Sequence, residues 1–315
     1  MACSPHPYWR GMGVARHVVL PLTRRALPRA LSTPAGLWVV NAIHRRLTLA
    51  GKRRFFHAFG EIEHPVAGGW KLDFAGQTIV LPLRREFPLS WQAATAFHGW
   101  DPEVHAFYEQ LVGSPRPPRL VFDVGANYGS HAIRFLVHGI RVVAFEPNPA
   151  CRAYFEAWCA SNGVTPEIVT AAVGDRPGTA ELTVPDGATY MGTTSDDVKA
   201  RWGGRDDVTT IKVAMVTLDA FTAQCGLVPD LVKIDVEGAE LAVLRGGRRL
   251  LAETRPLVVF EAWPQGSDRR AIFSVLSDAG YRVQPLGIIV RAWPPFSCDE
   301  FVRSPAANFL GLPPP

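Results

Sequence analysis

From residue 120 onward the chain alternates short apolar runs with stretches of helical spacing. Leu120-Val121-Phe122 is wholly apolar and rich in strand formers, the pattern of a parallel strand buried on both faces. Asp123-Val124-Gly125 interrupts it, and helical spacing resumes at about Ser130 with Ala132, Ile133, Phe135, Leu136 and Val137. Residues 140–145 read as a second strand and 149–161 as the next helix. Residues 167–173, 231–234, 256–260 and 281–283 follow as strands three to six, with a helix over 271–276 and a final strand at 308–312. Residues 175–216 are rich in Gly and Thr, with alternating stretches at 180–184 and 209–216, and predict a strand-containing insertion. Strands alternating with helices specify an α/β fold with a doubly wound, mostly parallel sheet over residues 116–315.

Upstream, residues 61–114 predict a small α+β cap. Short strands at 70–74 and 77–83 flank Ala75-Gly76, a hairpin-like turn. Asp101-Pro102-Glu103 is a helix start, with Asp101 as N-cap, proline at the first helical position and an acid in the first turn. Val104, Phe107, Tyr108 and Leu111 form the buried stripe of that helix, and 115–118 is a stiff proline linker. Residues 1–60 are apolar only in short, proline-punctuated pieces. A fragment such as 37–49 has amphipathic spacing, with Arg45 and Arg46 on a polar side.

Charge changes the picture of that first segment. The formal net charge is +4, but residues 1–60 hold ten Lys and Arg and no acid, so the remainder is mildly acidic. The plain reading is a loosely ordered basic arm whose arginines face water. A weak membrane-surface contact through this arm and an organelle presequence are the rival readings. Five cysteines, odd in number and without a Cys-x-x-Cys pair, argue against a disulfide framework or zinc site and for a reducing, cytoplasmic setting. No apolar run approaches the roughly 18 residues that span a bilayer.

The first two apolar runs of the sheet each end in a carboxylate, Asp123 and Glu146, with Gly125 and Gly129 in the turn between them. In an open α/β sheet this arrangement holds an adenosine-containing cofactor at the strand ends. The glycines let a ligand approach the backbone, and helix-opening N–H groups point at it. Glu146 is placed to accept hydrogen bonds from both ribose hydroxyls, and Pro147 suits the turn that follows. A nicotinamide dinucleotide wants a middle glycine beside its pyrophosphate, where this chain has Ala126-Asn127. Asp123 would repel a pyrophosphate but supports a positively charged amino-acid moiety. S-adenosylmethionine carries an ammonium, a sulfonium and a ribose and no phosphate, so the electrostatics favour it.

Residues 115–262 resemble the FkbM family of S-adenosylmethionine-dependent methyltransferases. Three stretches carry the resemblance: Phe122-Asp123-Val124-Gly125-Ala126-Asn127-Tyr128-Gly129, then Phe145-Glu146-Pro147-Asn148, then Val232-Lys233-Ile234-Asp235-Val236-Glu237-Gly238-Ala239-Glu240. The resemblance implies a Rossmann-like class I methyltransferase fold and methyl transfer to oxygen, on a sugar, glycolipid or polyketide-like acceptor. Asp123, Gly125, Asn127, Gly129, Glu146, Pro147 and the backbone near Ala172 are then the expected cofactor contacts, with Asp175 a further candidate. Asp235, Glu237 and Glu261 follow strands four and five and are expected on the acceptor side, as general base or, less favoured, as a Mg²⁺ site. The duller assignments are that Asp235 orients Lys233, and that Glu237 and Glu240 cap the next helix. His131, Asn162, His98, Arg84, Arg85, Tyr190 and Met191 are weaker candidates, each with a structural reading. A small-molecule or glycan acceptor is expected and no nucleic acid. The rivals are an NAD-dependent oxidoreductase and a non-catalytic cofactor-binding scaffold.

Overall fold

The computed structural model describes residues 27–60, 66–187, 191–201, 207–265, 267–287 and 294–314. They divide into two compact units, residues up to 71 with 81–100, and residues 72–80 with 101–315.

In the first unit, helices α1 (Pro34–Arg46) and α2 (Leu49–Phe59) each start at a threonine. Thr33 and Thr48 accept from the N–H groups of Gly36 and Gly51 at 3.1 and 3.2 Å. Residues 34–59, expected within a loosely ordered arm, are therefore two capped helices. Their buried face explains the difference: His44 and Phe55 pack with Trp70, and Trp70 meets Trp91 of helix α3 (Ser90–Gly99) edge-on at 5.0 Å. Asn41, a polar interruption in an apolar stretch, is buried because both ends of its amide bond the Lys71 backbone, at 2.9 and 2.8 Å. Strands β1 (Gly68–Phe74) and β2 (Gln77–Leu83) pair as a hairpin whose turn, Ala75 (φ 45) and Gly76 (φ 82), takes two left-handed residues.

Residues 72–80 of that hairpin belong to the second unit, which continues with helix α4 (Pro102–Val112) and a seven-stranded sheet. Its strands are β3 (Leu120–Val124), β4 (Arg141–Phe145), β5 (Glu167–Val169), β9 (Leu231–Ile234), β10 (Leu257–Glu261), β11 (Arg282–Pro285) and β12 (Asn308–Leu312). The spatial order is β11-β12-β10-β9-β3-β4-β5, parallel from β5 to β10, with β12 antiparallel to both of its neighbours. The central strands β3 and β9 are buried along their whole length, which is why they read as apolar runs broken only by Asp123 and Lys233. Their side chains form the main core with Phe145, Val258, Phe260 and Phe309. The connection order reverses beside β3, so a crevice opens at the carboxyl ends of β3 and β9.

The third strand is shorter than expected. Glu167–Val169 pairs with β4, but β6 (Ala172–Val173) leaves the sheet and pairs in parallel with β8 (Val208–Val216). Strand β7 (Gly178–Pro185) runs antiparallel to β8, giving a separate three-stranded sheet, β6-β8-β7, over the insertion. Ala172 packs there with Leu182, Val184 and Val213, so its burial comes from the insertion.

Helix α5 (Ala132–Leu136) follows β3, and α6 (Pro149–Ala160), capped by Asn148, follows β4. The remaining helices are α7 (Asp196–Arg201), α8 (Leu218–Cys225), α9 (Glu240–Gly246), α10 (Arg248–Thr254), α11 (Arg269–Asp278) and α12 (Cys298–Arg303). Arg269 is buried and donates to the carbonyls of Ala262, Phe301, Ser304 and Ala306, tying the approach of β12 to the end of β10.

Candidate active site

The turn after β3 is built for close backbone approach. Gly125 (φ 76), Asn127 (φ 52) and Gly129 (φ 82) are all left-handed. A β-carbon at Gly125 would stand 1.8 Å from the Asp235 carbonyl oxygen, and one at Gly129 would stand 2.0 Å from the Phe155 ring. The N–H groups of Gly125 and Ala126 donate to the Phe145 carbonyl at 3.0 and 3.1 Å, joining this turn to the end of β4. Glu146, the next residue, closes the same corner. Its Oε2 accepts the Asn127 N–H and its Oε1 the Asn148 N–H, both at 2.7 Å. Burial pushes its carboxyl up to about 7, against the pull of those two donors.

A lysine inside an apolar strand requires opposite charge around it. Lys233 of β9 stands in register with Asp123 of β3, so their side chains share a face. Its Nζ lies 3.3 Å from Asp123 Oδ1 and 3.4 Å from Asp235 Oδ2, and donates to the Gly125 carbonyl at 2.9 Å. Burial alone would depress this ammonium, but Asp235 and Asp123 outweigh it and hold it above its ordinary range. Burial raises the Asp123 carboxyl and Lys233 opposes that rise. Asp123, expected to support a ligand's cationic group directly or through water, is buried with Lys233 as its partner and does not line the cleft over the strand ends.

The acids expected on the acceptor side gather around Asp235. Glu237 sits at φ 52, its carbonyl fixed by the Thr193 hydroxyl at 2.7 Å. Burial, then Asp235 and Glu240, push its carboxyl to about 8. Glu240 accepts the Gly238 N–H at 2.9 Å, so it is Glu240 that steadies the turn into α9. Glu261 ends β10 almost fully buried, its carboxyl raised by burial and then by Asp235, Glu237 and Asp101. Asp101 differs from its expected capping role. It is left-handed (φ 41), caps nothing with its side chain, and accepts from Asn308 Nδ2 at 2.9 Å, while the same amide donates to Glu103 at 2.8 Å. Asn308 pairs with Glu261 across β12 and β10, which brings Asp101 into this acidic group. Burial, then Glu103 and Asp235, raise Asp101 to about 7.

A solvent-open cleft of about 630 Å³ lies over these strand ends. Gly125, Asn127, Glu146, Pro147, Ala172, Asp235 and Glu237 line it, joined by Phe145, Asn148, Cys151 and Leu182. Asp123, Gly129 and Glu261 do not line it. The described lining residues include three carboxylates and no Lys, Arg or His.

The weaker candidates have structural places. His131 is half-buried against Tyr108, its ring driven well below its usual pKa by desolvation and then by Lys233 and Arg134. Asn162 bonds the Val80 backbone at both ends of its amide. Asp175 is exposed beside Arg176 and Arg84 pairs with Glu86, while His98 and Met191 are buried. Tyr190 lies outside the described residues. Among the described residues no group of three or more His, Cys, Asp or Glu side chains is disposed to hold a metal ion. The sequence reading paired Asp235 with Lys233, and the two side chains meet. Asp101, Asn308 and Thr193 it passed over as participants in the site, and none of the three carried a local signal for that role.

Comparison with known proteins places this geometry in a family. A family model described as the methyltransferase FkbM domain matches residues 123–283, half of the chain. The chain is 32% identical over 156 residues to the 31-O-demethyl-FK506 methyltransferase FkbM of Streptomyces tacrolimicus, covering 42% of this chain and 60% of that one. It is 29% identical over 170 residues to the 2-O-methyltransferase NoeI of Sinorhizobium fredii, covering 49% of this chain and 66% of that one. The chain therefore spans less than two thirds of the length of either relative. Among solved structures, a methyltransferase FkbM from Methylobacillus flagellatus superposes with a TM-score of 0.38 at 17% identity, over 73% of this chain and 55% of that one.

Proposed function

The chain belongs to the FkbM methyltransferase family, and on that basis we propose that it transfers a methyl group from S-adenosylmethionine to a hydroxyl oxygen of a small-molecule or glycan acceptor. The observation that carries this reading is the make-up of the cleft wall: Glu146, Asp235 and Glu237 line it, with no cationic side chain among the described lining residues. A sulfonium and an ammonium favour the ionised form of these carboxyls when they bind, whereas a diphosphate meets no counter-charge among them. This also sets the dinucleotide reading aside.

The residues present fit the cofactor. Each Glu146 oxygen accepts one backbone N–H and keeps a lone pair for a ribose hydroxyl. Pro147, Asn148, Cys151, Ala172 and Leu182 offer a mostly apolar slot for a purine. When bound, S-adenosylmethionine supplies an electrophilic methyl group on its sulfonium. Asp123 acts from behind, holding Lys233, which in turn holds Asp235 at the cleft. Glu237, raised to about 8, is suited to take the proton of an acceptor hydroxyl as pH rises through 8. The hydroxyl assignment is supported by the two relatives, both named for O-methylation. A sugar, glycolipid or polyketide-like acceptor fits this chemistry.

Calorimetric titration with S-adenosylmethionine and with NAD tests the reading. Wild-type protein binds the first, and Glu146→Ala weakens it by about 100-fold or more, with Glu146→Gln intermediate. Near-normal affinity in Glu146→Ala, or tighter binding of NAD, overturns the assignment. Incubation with methyl-labelled cofactor and a metabolite extract then places the label on an acceptor hydroxyl.

A further inference from the structure

Helix α1 has two unlike faces. Leu37, Asn41 and His44 are buried in the first unit. Its other face carries Trp38, Val39 and Ile43, exposed by 71%, 46% and 57%, with Arg46 exposed in the last turn. Scattered apolar side chains are ordinary on a protein surface. Here, three of the five exposed large hydrophobics among the described residues fall within six positions of one helix, which marks a contact surface. The charge of the same unit indicates what is contacted. Its described residues contain nine Lys and Arg and a single acid, Glu86.

We propose that this face of α1 docks on the surface of an anionic lipid bilayer, with Trp38, Val39 and Ile43 seated at the headgroup boundary and Arg46, with other exposed cations of the unit, paired with lipid phosphates. The indole of Trp38, apolar with one polar edge, suits that boundary. The helix lies along the surface and does not cross it, since no helix among the described residues is long and apolar enough to span a membrane. A second copy of the chain is a poor occupant, because pairing these faces would bring two strongly basic units together.

The test uses the full chain without cofactor, so its outcome is independent of the methyl-transfer reading. Protein is sedimented with phosphatidylcholine vesicles and with vesicles containing about 30 mol% phosphatidylglycerol. Binding is expected to the anionic vesicles only, and to weaken at about 0.5 M salt, where screening is short-ranged. Trp38→Ser with Ile43→Ser lowers the bound fraction by about tenfold, while thermal unfolding stays as in wild type because both side chains face solvent. Equal binding to neutral vesicles, or undiminished binding of the double variant, overturns the proposal. So does light scattering that shows a wild-type dimer split by the double variant.

Discussion

Glu237 combines features that rarely coincide in one residue. Its backbone is left-handed at φ 52, a region that residues with a β-carbon resist, and the Thr193 hydroxyl holds its carbonyl there. The strain brings the side chain to the cleft wall beside Asp235. A carboxyl at about 8 is mostly protonated at pH 7 and becomes a base as pH rises through 8. If Glu237 takes the acceptor proton, turnover climbs over that interval. Glu237→Gln lowers kcat by roughly 10²–10⁴-fold and flattens the climb. A pH–rate profile of the variant that still rises through 8 assigns the proton to another group, Asp235 first.

Among elements, the ends of β3 and β9 are held together by one ammonium. Lys233 touches Asp123, the Gly125 carbonyl and Asp235, so a single side chain sets the turn after β3 and the loop after β9. Removing it leaves a buried carboxylate without counter-charge. Lys233→Met is expected to cost about 3–5 kcal/mol in chemical denaturation, and adding Asp123→Asn restores part of it. A loss within about 1 kcal/mol would show that the pair carries little. This arrangement was half legible in the sequence. Strands β3, β4, β9 and β10 announce themselves because burial on both faces makes them mostly apolar, so that the acids at or just beyond their ends stand out. Partner choice is what one sequence hides. Residues 167–173 look continuous, yet pairing with β8 draws Ala172 and Val173 into the second sheet. Asp101 sits in a persuasive capping signature, but its partner Asn308 is 207 positions away. Residues 34–59 look too short and too polar to order themselves, and they fold because an aromatic cluster from β1 and α3 meets them.

On the scale of the molecule, the acidic site should set how stability depends on pH. Asp101, Glu146 and Glu240 are pushed to about 7 and Glu237 to about 8, and Glu261 is raised as well, burial being the largest cause each time. The fold therefore binds protons that the unfolded chain has released by about pH 5. Stability from these groups is complete below the ordinary carboxylate range and is lost as pH rises through 7 and 8. Two contributions run the other way. His131, driven down by burial, favours the fold above its ordinary pKa and loses that as pH falls. Glu109 and Glu167, lowered by His105 and Arg141, lose stability only in more acid solution. Between pH 5.5 and 8.5, these five carboxyls and Asp123, also raised, outweigh the two lowered histidines, His131 and His57, so the unfolding temperature is expected to fall by roughly 5 °C or more across that range. S-adenosylmethionine, with cationic centres against Glu146, Asp235 and Glu237, should return more of that loss at the alkaline end than it adds at the acid end. Thermal unfolding with and without cofactor at both ends of the range measures this. An unfolding temperature that climbs with pH, or a cofactor shift that is the same at both ends, would mean that these carboxyls are ionised and solvated in the fold.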